Sequence, residues 1–124
     1  MAVYIALAIG GTLGVFARYW LTQVIQTVFG HAFPLATLSI NVLGSFLLAF
    51  LFVETLERVS LSPALRTGIL TGGLGAFTTF STFMMEAMLL VEDGQTGKAV
   101  LYLALSVGLG LAAAFGGVYV ARNL

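Results

Sequence analysis

The chain has 124 residues, 60% of them hydrophobic and 8% charged, with five basic against five acidic side chains and a mean hydropathy of +1.07. A soluble fold of this size cannot bury so much apolar surface, so the composition excludes a globular enzyme and identifies an integral membrane protein. Cysteine is absent, which rules out disulfides and thiolate metal sites and leaves the redox compartment open.

The first span is expected at residues 2–28. Its charge-free run, Ala2 to Ala17, has no basic segment before it and three further spans after it, so it reads as a membrane helix rather than a cleaved leader. Ala6, Gly10 and Gly14 recur every fourth residue, a flat strip suited to close helix approach. Arg18 is the only formal charge in this helix; it either snorkels to the headgroups or draws anions into a vestibule. Tyr4 and Tyr119 fit the aromatic belt of one interface, Tyr19 and Trp20 that of the other.

The next charge-free run, Tyr19 to Val53, is too long for one helix. Gly30, His31 and Pro34 divide it, because proline and its predecessor resist helical geometry, and the second span is expected at 34–55. A lone histidine beside glycine and proline reads as a solvated loop residue, since a metal site needs several convergent donors. Thr37, Asn41 and Ser45 stack along one face at four-residue spacing. Interhelical hydrogen bonding accounts for Ser45, whereas Asn41, whose amide carries two donors, is a candidate ion contact if its helix faces the third.

The third span, expected at 65–92, contains GGLGAFTTFSTF from Gly72 to Phe83, inside a stretch without charge from Thr67 to Met85. Lipid offers no partner to a free N–H or C=O, so a broken helix at membrane depth belongs where protein buries it or where it lines a watery cavity. Phe80 and Phe83 project to similar sides, with hydroxyls from Thr79, Ser81 and Thr82 around them. Aromatic edges are positive and favour an anion without a fixed charge to trap it. Carbonyls freed around Gly75 and Thr78 suit a sodium ion, and the two readings are compatible in one protein; simple packing of the rings in the bundle is the third reading. Glu86, one turn beyond Phe83, is an intramembrane carboxylate, either a functional group or the partner of a basic group near the interface. The fourth span, expected at 98–122, carries a small-residue strip (Ala104, Gly108, Ala112, Gly116) and a polar pair, Tyr102 and Ser106.

With four spans, both termini lie on one side with Arg58, Arg66 and Arg122, against Lys98 and an outward Arg18. Three against two is nearly no bias, so insertion in both orientations and a single orientation stand level on charge alone. Dual insertion would pair the chain with an inverted copy of itself.

Three segments taken in order resemble the Fluc (CrcB) family of fluoride channels: GGTLGVFARY at Gly10 to Tyr19, TLSINVLGSF at Thr37 to Phe46, and TTFSTF at Thr78 to Phe83 followed by Glu86. The resemblance spans almost the whole chain. It implies an all-α membrane protein, a single domain over 1–124 with four transmembrane helices and a broken third helix, assembled as an antiparallel, dual-topology homodimer with two pores. It implies a passive fluoride-selective channel in the bacterial inner membrane that exports fluoride and reduces its toxicity. Asn41 would donate to the ion, Phe80 and Phe83 would present ring edges, and Thr37, Ser81, Thr82, Tyr102 and Ser106 would belong to the polar track. Arg18 and Glu86 would lie at the vestibule. The Gly75 and Thr78 carbonyls of both subunits would hold a structural sodium ion at the dimer centre. Ala36, Leu74, Ala76 and Met84 depart from frequent family residues beside the break. The rival reading is a proton-coupled exporter of the small multidrug resistance type, which needs a carboxylate in its first span; this first span has none.

Overall fold

Turn chemistry sets the ends of the spans. Gly30 takes φ 78°, a left-handed conformation that glycine adopts without steric cost, and its N–H closes the last turn on the Gln26 carbonyl at 2.8 Å. Ser62 caps the third span by accepting the Leu65 N–H at 3.2 Å, with Pro63 at the first helical position, where its missing donor is not needed. Gly94, at φ 77°, turns the chain from the third span into the fourth.

The computed structural model describes residues 1–124 and is entirely helical. Helix α1 is Ala2–Phe29, α2 is Leu35–Glu57, α3 runs over residues 63–77, α4 is Ser81–Glu92 and α5 is Thr96–Arg122. Four stretches, Ala2–Phe29, Leu35–Glu57, Pro63–Glu92 and Thr96–Arg122, are long and apolar enough to cross a membrane. They lie within a few residues of the spans expected from the charge-free runs. The protein is a multi-pass membrane protein. Only 16 of 124 residues are buried within the protomer, so most apolar side chains face lipid or a second protein surface.

The third span breaks where the glycines and hydroxyls concentrate. Gly68–Leu74 is π-helical, a rare form found mostly as single turns at functional sites; one α-turn follows, and Thr78 then swings to an extended ψ of 160°. At this point the span changes partners. Before the break it lies along α1, and after it α4 packs against α5. The remaining large contact joins α2 to α5.

Glycine controls both close crossings. A Cβ at Gly10 would collide with the Gly68 carbonyl, one at Gly14 with the Gly73 carbonyl, and one at Gly68 would lie 2.6 Å from Ala6 Cβ. The Ala6, Gly10, Gly14 strip is therefore the α1–α3 contact, as its spacing predicts. The strip on α5 behaves differently. Within the protomer Gly108 meets nothing within 4 Å and Gly116 only touches the Phe46 ring, whereas a Cβ at Gly117 would collide with the Phe46 carbonyl. The inward face of α5 is set by Tyr102 (0% exposed), Ala99 and Ala121. Ala104 is two residues beyond Tyr102, a rotation of about 200° that turns the expected strip outward.

Gly10→Val is expected to cost about 1–3 kcal/mol or more, since the new side chain must displace backbone rather than a flexible side chain. Gly11→Ala, where nothing lies within 4 Å, should stay within about 1 kcal/mol of wild type. Thermal denaturation in detergent, followed by size exclusion, measures both; equal losses would show that the α1–α3 approach is not what glycine protects.

Candidate functional site

The break at Thr78 to Phe80 would leave several backbone groups bare at membrane depth. Other helices pair three of them, and hydroxyls of the span itself assist. Asn41, on α2, grips Thr79 with both ends of its amide: Oδ1 accepts the Thr79 N–H at 2.8 Å and Nδ2 donates to the Thr79 carbonyl at 2.9 Å. Arg18 Nε, from α1, donates to the Ala76 carbonyl at 3.1 Å. Thr79 Oγ1 accepts the Thr82 N–H at 3.3 Å, and Thr78 donates both its N–H and its hydroxyl to the Leu74 carbonyl. Because the Thr79 N–H goes to Asn41, the Gly75 carbonyl loses the donor that a continuous helix would send it.

Beside the clamp lies a groove of about 260 Å³ lined by Asn41, Ser45, Thr78, Thr79, Phe80, Phe83 and Ser106, among others. Asn41 retains one Nδ2–H with no protein partner here, and Ser106 Oγ is buried without any hydrogen bond. A second cavity of about 430 Å³ opens at the end of the bundle where the 30–34 and 93–95 turns lie, lined by Gln26, His31, Phe33, Glu86, Asp93 and Gln95. A run of rings joins the two. Phe33 meets Tyr102 edge to face with centroids 5.6 Å apart, Tyr102 meets Phe83 at 5.0 Å and 88°, and Phe83 meets Phe80 at 6.0 Å and 67°. The Tyr102 hydroxyl donates to Glu86 Oε1 at 2.9 Å, which commits its one proton to the carboxylate. The largest groove, about 820 Å³ between α1, α2 and α3, is lined mainly by apolar side chains such as Ile9, Leu13, Leu47 and Phe77 and offers an ion little.

The residues singled out from sequence divide into groups. Asn41, Phe80, Phe83 and Ser106 meet in the groove; Glu86 lines the mouth cavity, with Tyr102 buried between the two. Thr37 is buried a turn before Asn41 and lines neither cavity. Ser81 is exposed and Thr82 half-buried, and neither lines the groove within one protomer. Arg18 reaches the break through the Ala76 carbonyl. Sequence reasoning passed over Phe33, which extends the ring run, and Gln95, whose Oε1 is buried and unpaired. Neither carries a periodic signal, since both lie in turns.

The geometry therefore brings aromatic rings, one free amide N–H and one orphan hydroxyl close together. It supplies no nucleophile with an adjacent base, and no group of three or more metal-binding side chains. The CrcB-like protein (camphor resistance) family model matches residues 5–118. The chain belongs to this family. It is 55% identical over 117 residues to a fluoride-specific ion channel of Acidithiobacillus ferrooxidans, covering 94% of each chain. It is 44% identical over 115 residues to one from Magnetococcus marinus, covering 93% of this chain and 94% of the relative. The one from Geobacter sulfurreducens is 40% identical over the full length of both chains.

Asn41→Ala should cost about 1–3 kcal/mol, the penalty of stripping partners from part-buried backbone groups. Hydrogen exchange should locate the loss at the Thr79 amide; unchanged protection there would mean the Asn41 clamp does not hold the break.

Proposed function

We propose that this chain is a fluoride-selective passive channel that lets fluoride leave the cell. The observation that carries it is the groove lined together by Asn41 with a spare N–H, Ser106 with an orphan hydroxyl, and the rings of Phe80 and Phe83, whose positive edges suit an anion. A small anion needs donors to replace its water, and a buried hydroxyl without a partner is costly unless a water or an ion meets it. Donors without a full charge bind weakly enough to release, which conduction requires. The names of the relatives point to the same cargo. A multidrug exporter of the small four-helix type is the weaker reading: α1 has no carboxylate, and Glu86 is held by Tyr102.

The working unit in this reading is an antiparallel homodimer in the inner (plasma) membrane. Phe80 is 63% exposed in one protomer, and Ser81, Met84 and Met85 beside it face outward, so the ring route is open along one side until a second copy covers it. The near balance of basic residues on the two faces suits insertion in both orientations. The released Gly75 carbonyl, with that of Thr78, fits a sodium ion held by backbone oxygens of two copies; such an ion would offset the negative ends of the two half-helices. A Cβ at Gly75 meets nothing closer than 3.7 Å within the protomer, so any steric demand for glycine there comes from the partner.

Purified protein in liposomes should release fluoride rapidly and chloride not at all, as read by ion-selective electrodes. Phe80→Ile and Asn41→Asp should each slow fluoride release about tenfold or more, equivalent to about 1.4 kcal/mol in barrier height, while the dimer persists. Normal fluoride release in both variants would remove the groove from the pathway. Gly75→Val should weaken dimerisation and any sodium dependence of assembly together; loss of neither would count against a shared ion.

A further inference from the structure

Arg18 lies inside a membrane-spanning helix, with about 16 Å of helix between it and the end of α1 at Phe29. A cation in such a helix needs a counterpart. No carboxylate supplies one, because the two ion pairs of the protein are Arg58 with Glu54 and Arg122 with Glu57. Its partner is the Ala76 carbonyl at 3.1 Å. The helical donor for that carbonyl would be the Phe80 N–H, which lies beyond the break and does not bond it. The C-terminal end of a helix carries partial negative charge, so a guanidinium there is doubly suited.

Gly14, one turn before Arg18, brings α1 near enough for this contact. A Cβ on Gly14 would lie 3.0 Å from Ala76 Cβ and 3.1 Å from the Phe77 nitrogen, so the two helices touch backbone to backbone beside the arginine. Three residues past Ala76, Asn41 holds Thr79 from α2. The break is thus gripped from two helices, at Ala76 by α1 and at Thr79 by α2.

We propose that Arg18 is a positioning residue: through the Ala76 carbonyl it ties the end of α3 to α1 and so sets where Thr79, Phe80 and Phe83 stand against Asn41. This differs from a vestibule charge that gathers anions, which requires only a positive group. Lysine separates the two, since it keeps the charge but lacks the planar fork with its Nε–H.

The flux arm of the test rests on the channel reading, and the exchange arm does not. R18K and R18Q are reconstituted for fluoride release, and amide exchange is followed over residues 76–83. Both variants should lose flux about tenfold or more, the scale of an ångström-sized misplacement. Exchange at Thr79 to Phe83 should accelerate about tenfold in both as local opening becomes easier. Wild-type flux and exchange in R18K, with loss confined to R18Q, would overturn the proposal in favour of charge steering. If neither variant folds, arginine-labelled wild-type protein decides: the Arg18 Nε–H should exchange about tenfold more slowly than those of the exposed Arg58 and Arg122. Equal exchange would overturn the proposal. A wild-type protein silent to fluoride would defeat the channel reading and leave the exchange result to judge Arg18.

Discussion

Hydrocarbon supplies no hydrogen-bond partner, and a bare backbone group in it costs several kcal/mol. The interruption at Thr78 to Phe80 exists only because neighbouring helices supply what the lipid withholds. Asn41 does so at Thr79 and Arg18 at Ala76. The glycines of α1 and the π-helical stretch allow the backbone approach that puts Arg18 within reach. The change of partner from α1 to α5 then follows, because the kink redirects the chain away from α1. Asn41, polar on an otherwise apolar α2, acquires its purpose from the same constraint.

Scarcity of partners also gives meaning to the groups left over. Near the break these include the second Asn41 N–H, the Ser106 hydroxyl and the Gly75 carbonyl. The first two are donors beside the Phe80 and Phe83 rings, and the third is an acceptor at a half-helix end. Tyr102 illustrates how finely protons are allotted: its hydroxyl serves Glu86 while its ring packs perpendicular to Phe83.

Much was legible in the sequence. Charge-free runs and Pro34 located four spans, since crossing hydrocarbon depends on local composition and length. The glycines and hydroxyls from Gly72 to Phe83 marked the break, and the four-residue rhythm of Ala6, Gly10 and Gly14 marked a true crossing face. Asn41 stood out as a polar side chain needing a partner on the third helix, and it has one. Composition alone established a multi-pass membrane protein.

Tertiary structure decided which faces meet. The strip of Ala104, Gly108 and Ala112 has the same rhythm as that of α1, yet it turns outward because Tyr102 claims the inner side of α5. Arg18 had two sequence readings, headgroup or vestibule, and neither named the partner it has, a carbonyl 58 residues away. The ring run begins at Phe33, a turn residue that no periodicity marks. A span is fixed by solvation of the residues along it, which each residue carries with it. A face is fixed by competition among all the helices for the same contacts, and that competition has an outcome only when they are packed together.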